Sequence, residues 1–413
     1  MKADLQKSII RGFKYLLIIY ALLSLTYTAN QLYQQSASSP SSATRSTRRS
    51  IVIEKPLHQR PVSYEKSKVD NVIQSKMFSG TMRSNNSKIL PYYIKATQIT
   101  NLKDITISTI VTSDRLPVLS RLASHYKGPI SAAIHINESD KDEKELVLQQ
   151  LLNVYIENED MQRYVDIHLI ADQYDRQFNM WRNVAKLYAR TDYIMMLDID
   201  FFPCTNFRQD ILQHPEWLNM LDDGLAAFVV PAFEYIDLED GMDHKTFPRT
   251  KQDLIDQVTA DKLDMFHRAW QLGHGATDYV KWYDASTPMY KVVNYHHSYE
   301  PYVIFKRQGS PWCDERFIGY GANKAACLYE IYLSGISYYV LSDHFLIHQS
   351  HTYPESTRRK ERLFNRKLYT HFREELCLRY ARQFIATGEW NTSRADNLKT
   401  ECQKIRGFTN TIL

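Results

Sequence analysis

The sequence has five cysteines in 413 residues, Cys204, Cys313, Cys327, Cys377 and Cys402, and no two of them form a Cys-x-x-Cys pair. A structural zinc site therefore has no support. In an oxidising compartment one or two disulfides fit this count with at least one thiol left over, and spacing alone does not assign the pairing. No Gly-x-x-x-x-Gly-Lys-Ser/Thr loop occurs, which excludes phosphate-loop chemistry. There is no internal repeat, so a stacked-repeat architecture is excluded as well. Charge of one sign is also scarce: 51 Lys and Arg face 47 Asp and Glu, a net +4. The basic residues are dispersed through the predicted folded region without forming a stripe, and this argues against a nucleic-acid partner. A modest excess between Arg45 and Lys76 falls in a stretch that reads as an extended, soluble linker.

What is present is the composition of a folded protein, 44% hydrophobic and 24% charged. The length predicts one large catalytic domain with appendages. Tyrosine is abundant, at 28 residues; its ring and hydroxyl suit carbohydrate surfaces, although core packing accounts for most of them. Near the amino terminus YLLIIYALLSLTY forms an apolar run, preceded by Lys2, Lys7, Arg11 and Lys14. That asymmetry predicts a cytoplasmic amino terminus and a lumenal remainder. At roughly 16 residues, about 24 Å of helix, the run suits the thin membranes of the early secretory pathway. No small-x-small cleavage site follows it, which favours an anchor over a cleaved signal peptide. The expected plan is a tail over 1–12, a transmembrane signal anchor over 13–28, a stem over 29–100 and a lumenal catalytic domain over 101–413. This describes a single-pass type II protein of the Golgi or endoplasmic reticulum. Sequons at Asn85, Asn137 and Asn391 agree with a lumenal location.

From about Asp104 the pattern alternates. ITISTIV (105–111), SAAIHI (131–136), VDIHLI (165–170) and YIMMLDID (193–200) read as strands, with helices over 116–126, 141–155 and 179–189 between them. This alternation predicts an α/β fold with a parallel sheet covered by helices, in which ligands bind beyond the carboxyl ends of the strands. Later the pattern is mixed: AAFVVPAF reads as one strand, 252–272 as a helix, 338–341 and 345–348 as short strands, and 355–386 as a long amphipathic helix or helix pair.

Asp198 and Asp200 emerge from the apolar IMML segment. In a strand, residues two apart point to the same side, so both carboxylates would face one site. A divalent cation is one of the few adequate compensations for a buried carboxylate pair. Bound there, it would neutralise the charge of a departing nucleoside diphosphate. Oxygen ligands alone suit magnesium or manganese, and an added imidazole tilts the preference to manganese. His348, ending FLIH with His351 three residues on, is the candidate imidazole; a satisfied structural histidine is the competing reading.

The stretches TSDRLPVLSRLASHYKGPISAAIHI, FNMWRNVAKLYARTDYIMMLDIDFFP, YEPYVIFKR, CDERFIGYGANKAA and YYVLSDHFLIHQSH, in that order, resemble glycosyltransferase family 49, which includes the glucuronyltransferase domain of LARGE-type enzymes. The resemblance covers most of 105–351. It implies a single catalytic domain with a GT-A glycosyltransferase fold, a Rossmann-like mixed sheet carrying an Asp-x-Asp metal site. It also implies Mn2+ (or Mg2+), a UDP-sugar donor, a glycan or glycoprotein acceptor, and inversion at the anomeric carbon. By position Asp198, Asp200 and His348 match the family's metal ligands. Thr112 and Arg115, then Asn179, Arg182 and Asn183 of the NMWRN helix, fall in stretches assigned to the donor site. Inversion needs a general base, and CDERFIGYGANK offers Asp314 or Glu315 ahead of the Gly319-Tyr320-Gly321 turn. Either acid has a structural alternative, an ion pair with Arg316 or Lys324. Asn323 and Lys324 stand where other inverting GT-A enzymes carry an acidic pair in a FWGWGxED segment. A Lys324 that grips the carboxylate of a glucuronic acid donor would account for that exchange. Tyr299, Tyr302 and Trp312 are candidate aromatic walls for a sugar, with core packing the expected role for at least one of them.

The expected function is transfer of one kind of sugar, glucuronic acid, from UDP to a glycan hydroxyl. Three rivals stand beside it: a transferase using another donor such as UDP-xylose, a glycoside hydrolase, and a non-catalytic lectin-like or scaffolding protein on the same fold.

Overall fold

The computed structural model describes residues 87–174, 176–351 and 358–408. The predicted tail, anchor and most of the stem, with Asn85, lie outside the described residues. Among the described residues no helix is long and apolar enough to cross a membrane.

Thirteen strands form among the described residues. Those of the first half are β1 (Lys88–Ile94), β2 (Ile105–Val111), β3 (Ile130–Asn137), β4 (Val165–Asp172), β5 (Tyr193–Met196) and β6 (Phe201–Pro203). The second half adds β7 (Ala226–Val230), β8 (Ala232–Tyr235), β9 (Leu263–Met265), β10 (Met289–Lys291), β11 (Tyr302–Lys306), β12 (Ser337–Leu341) and β13 (Leu346–His348). Nine of them make one sheet in the order β1-β4-β3-β2-β5-β11-β7-β12-β10, and β6-β13-β8-β9 make a second.

The β4-β3-β2-β5 block is parallel, as the alternating pattern predicts. β11 then inserts antiparallel between β5 and β7, so the sheet is mixed where the periodicity alone suggests a parallel one. Both faces are covered. Tyr193 and Met195 of β5 face one core cluster, while Ile194 and Met196 face the other. A strand buried on both sides reads as an unbroken apolar run, which is the character of YIMM.

Several boundaries differ from expectation. The stem does not extend to residue 100, because Lys88–Ile94 pairs antiparallel with β4 as the sheet edge. Its alternating exposure, with Leu90, Tyr92 and Ile94 the less exposed residues, is a weak edge-strand signal. AAFVVPAF splits at Pro231, and its halves β7 and β8 serve different sheets. The Pro231 carbonyl accepts the Leu346 N–H at 2.8 Å, so the break starts the β8-β13 pairing. The helix expected over 252–272 stops at Thr259, just before Asp261 with φ of 55°. The region 355–386 resolves into a 29-residue helix, Arg358–Ala386. Cys313 pairs with Cys327 and Cys377 with Cys402, leaving Cys204 as a buried thiol.

Candidate active site

The two aspartates do not share a strand. β5 ends at Met196, and the Phe201 N–H donates to the Asp198 carbonyl at 3.1 Å, closing a turn over 198–201. Strand alternation therefore does not apply, and the carboxylates look at different partners.

Asp198 is held by cations. Lys324 Nζ lies 3.1 Å from one carboxylate oxygen, Arg182 Nη2 lies 3.3 Å from the other, and the Tyr302 hydroxyl donates at 3.1 Å. Burial opposes ionisation of this carboxyl, but the Lys324 ammonium and the Arg182 guanidinium outweigh it and hold its pKa well below the usual range. Lys324 sits 3.4 Å from the Tyr302 ring centroid and is 5% exposed. With its ammonium on Asp198, it does not present the free charge that a donor carboxylate would need.

Asp200 faces the second sheet. One carboxylate oxygen is 3.2 Å from Arg115 Nε and the other 3.3 Å from His351 Nε2. The sheet register explains the convergence: in β13 His348 pairs with Phe201 of β6 and with Glu234 of β8. The Gln349 N–H then donates to the Asp200 carbonyl at 2.8 Å. The ligand atoms of Asp200, His348 and His351 consequently lie within 4.8 Å of one another. One carboxylate and two imidazoles are a donor set suited to manganese and other divalent first-row ions. Burial lowers the His348 pKa to about 4, so its ring is neutral and has a lone pair to give. The set departs from the expected Asp198, Asp200 and His348: His351 stands in the place given to Asp198, whose charge is already met.

The NMWRN helix, Phe178–Tyr188, acts mainly as a clasp. Asn179 donates to the carbonyls of Asp314 and Asn323, at 2.8 and 3.0 Å. Asn183 donates to the Cys313 carbonyl at 2.9 Å and to the Glu315 carboxylate at 2.7 Å, and it accepts the Cys313 N–H. Arg182 reaches the Asn323 side chain at 2.8 Å before touching Asp198. The amides of Asn179 and Asn183 are thus committed to the 313–323 loop, which corrects their assignment as donor-binding groups. Asn323 in turn donates to the Gly319 carbonyl at 2.9 Å.

Asp314 is fully buried, and its carboxylate is bound by the Arg316 Nε and Nη2 groups, the shortest contact being 2.6 Å. Arg316 continues to Glu375 at 2.9 Å. A carboxylate enclosed in this way cannot meet an acceptor hydroxyl, so the structural alternative holds for Asp314. Glu315 is half-buried and points to Asn183. Gly319 and Gly321 have φ of 78° and 90°, and Tyr320 between them donates its N–H to Glu361 at 2.9 Å. A Cβ on Gly321 would come 3.1 Å from the Arg362 backbone. Gly321→Ala is expected to cost about 1–3 kcal/mol of stability from the disfavoured φ and that contact; urea unfolding measures it, and an unchanged midpoint would refute it.

Thr112 is exposed at the end of β2 and bonds Asp114 at 2.6 Å, whereas Arg115 alone of that pair reaches the cluster. Tyr299 and Tyr302 are buried core residues, at 0% and 1% exposure, so both take the core-packing role expected for at least one of the three aromatics and neither is a sugar wall. The Trp312 ring stacks under Lys186 at 4.8 Å. A cavity of about 620 Å³ opens on His348 and His351, with Glu234, Asp264, His267 and Arg268 on its walls. Glu234 accepts the His267 N–H at 2.8 Å, and burial raises its pKa. The spacing of His348 and His351 was the signal for the third ligand; Glu234 had no signal in sequence, since only the second sheet brings it to the site.

A family model described as a glycosyl-transferase for dystroglycan matches residues 104–178 and 170–381. The chain belongs to this glycosyltransferase family. It is 32% identical over 257 residues to the xylosyl- and glucuronyltransferase LARGE2s of Gallus gallus, a match covering 61% of this chain and 32% of that protein. It is 30% identical over 254 residues to the glycosyltransferase-like protein gnt14 of Dictyostelium discoideum, covering 60% and 37%. The matched region thus spans about a third of the length of these curated relatives. Among solved structures, GalNAc-T7 with UDP, GalNAc and Mn2+ aligns over 67% of this chain and 49% of its own, at 13% identity and a TM-score of 0.35.

Proposed function

We propose that this protein is an inverting, metal-dependent glycosyltransferase on a GT-A fold that moves a sugar, glucuronic acid, from UDP to a glycan hydroxyl. The carrying observation is the convergence of Asp200, His348 and His351 beside Arg115 at the carboxyl ends of β2 and β5, in a chain of a glycosyltransferase family. Asp200, His348 and His351 would hold a divalent ion, which would supply charge neutralisation for the departing diphosphate. Arg115 adds a guanidinium suited to phosphate oxygens. We assign Asp198 no ligand role; it anchors Lys324 and Arg182 and so ties the Phe178–Tyr188 helix to the start of the helix that carries Lys324. With Asp314 committed to Arg316, Glu234 on the cavity wall is the carboxylate we assign as proton acceptor for the attacking hydroxyl. If the apolar run over 13–28 anchors the chain, the site faces the lumen of the Golgi or endoplasmic reticulum, where the glycan acceptor would be met.

The test is a screen of UDP-sugars for Mn2+-dependent hydrolysis and transfer by the purified chain. UDP-glucuronate is expected to be turned over with Mn2+ and not with chelator present, and Glu234→Gln should lose transfer while keeping UDP binding. Turnover indifferent to chelator would sink the metal assignment, preference for another donor the sugar, and full transfer by Glu234→Gln the base.

A further inference from the structure

At the start of the 29-residue helix Arg358–Ala386 the dispersed basic residues give way to a cluster. Six of the ten residues 358–367 are Lys or Arg and only Glu361 is acidic, a local net charge of +5 against +4 for the whole chain. The two sides of these turns differ. Arg358, Glu361 and Asn365 face the domain. Arg358 lies 4.3 Å from the Tyr320 ring centroid, and Glu361 accepts the Arg176 Nε–H at 2.8 Å and the Tyr320 N–H at 2.9 Å. Asn365 donates to the Ile318 and Tyr320 carbonyls. The one carboxylate is thus engaged inward.

The outer side carries Arg359, Lys360, Leu363, Phe364, Arg366 and Lys367, all exposed. Residues 359, 363 and 367, and 360, 364 and 367, stand three or four apart and so form one continuous surface. Its apolar members are open to solvent, Leu363 at 57% and Phe364 at 61%. Leu378 and Ile385, also exposed, lie whole numbers of turns beyond Lys367 and continue the same side. A single exposed leucine needs no explanation, but four large apolar residues on one helix face mark a contact surface.

The charge is equally unpartnered. On an ordinary solvated helix the cations pair locally, as Arg163 does with Glu159 one turn earlier at 3.0 Å. Lys360, Arg366 and Lys367 have no acidic residue three or four positions away in either direction. Among the described residues none of them meets a carboxylate from another element. Cations interleaved with open Leu and Phe match a bilayer surface. The charged ends meet phosphates and acidic headgroups, the apolar side chains enter the acyl boundary, and the Lys and Arg stems lie along it. A nucleic acid or an acidic peptide would use the charge and leave Leu363 and Phe364 without a role.

We propose that this outer face docks on a membrane surface carrying anionic lipid, with Leu363 and Phe364 inserted and Arg359, Lys360, Arg366 and Lys367 at the headgroups. The proposal stands apart from the glycosyl-transfer reading, since none of these residues lines the cavity at the metal cluster. Docking would hold the Gly319-Tyr320-Gly321 turn one helix diameter, roughly 10 Å, from the lipid, because that turn packs on the inward side of the same helix.

The experiment places a nitroxide at Phe364→Cys of the full chain and reads its immersion by oxygen-enhanced relaxation. Cys204 is buried and the other four cysteines are bridged, so the label has one reactive site. Vesicles of phosphatidylcholine are compared with vesicles of phosphatidylcholine and phosphatidylserine, the neutral set carrying whatever the amino-terminal apolar run contributes. The immersed fraction of the label is expected to rise about tenfold on the anionic vesicles. Lys360→Glu/Lys367→Glu should return the label to water at an unchanged thermal midpoint, and the milder Lys360→Gln/Lys367→Gln should do so in part. A label that stays in water on both vesicles, equal immersion on both, immersion that survives the charge reversal, or immobilisation by soluble polyglutamate without lipid overturns the proposal.

Discussion

Asp200→Ala is expected to lower Mn2+-dependent turnover of the UDP-sugar by roughly 10³-fold, because several kcal/mol of leaving-group stabilisation are lost with the ion. Asp200 is the one carboxylate of the three clustered ligands, so its removal leaves two imidazoles and the Arg115 guanidinium around the metal position. Affinity for Mn2+ should fall in parallel, read by the paramagnetic broadening of the free ion's signal. His351→Ala should move both quantities in the same direction. Asp198→Asn should behave differently: Lys324 and Arg182 lose their counter-charge, so donor binding suffers while Mn2+ affinity in the absence of nucleotide is kept. If Asp198→Asn abolishes metal binding and Asp200→Ala spares it, the assignment of ligands is inverted and the geometric argument fails.

Asp314→Asn is expected to destabilise the fold by about 3 kcal/mol, the lower end for removing one partner of a buried ion pair, since Arg316 keeps partial access to water. The side chain of Asp314 is 0% exposed and that of Arg316 is 26% exposed. Deleting the acid leaves the guanidinium with Glu375 alone. Urea unfolding measures the loss, and Asp314→Asn/Arg316→Met should recover part of it because the orphaned charge is then gone. Turnover per folded molecule should drop far less than for Asp200→Ala. A variant of unchanged stability whose turnover has vanished would restore Asp314 as the base.

Much of the parallel half of the fold was legible because local signals and tertiary outcome agree there. ITISTIV and the helix from Leu116 to Tyr126 have the bounds their sequence suggests. Asp140 and Asn158 cap the helices that follow them with their side chains. The second sheet was largely hidden. Its strands are three or four residues long, too short for period-two alternation to register. The same limit hid half of the site. Asp200 and His348 are visible as a motif and a strand end, but which histidine closes the set depends on the turn after β13. The Asp198-x-Asp200 spacing misleads because a turn, closed by Phe201, replaces the strand assumed by alternation. Asn179 and Asn183 show the opposite error: a conspicuous polar pair on an amphipathic helix suggests a ligand, yet their amide N–H groups go to backbone carbonyls and the Glu315 carboxylate over a hundred residues away, which no local pattern encodes.

The 313–327 segment is closed by the Cys313–Cys327 bridge and held by Asn179 and Asn183 from one side and by Glu361 and Asn365 from the other. So many tethers leave it little freedom to surrender when substrate arrives, so binding across it carries a small ordering cost. They also restrict how the site can be retuned. Lengthening the loop would break several tethers at once, whereas exchanging a side chain at Glu315 or Tyr320 keeps most of them. Variation in this segment should therefore arise by substitution on a fixed frame, without insertion.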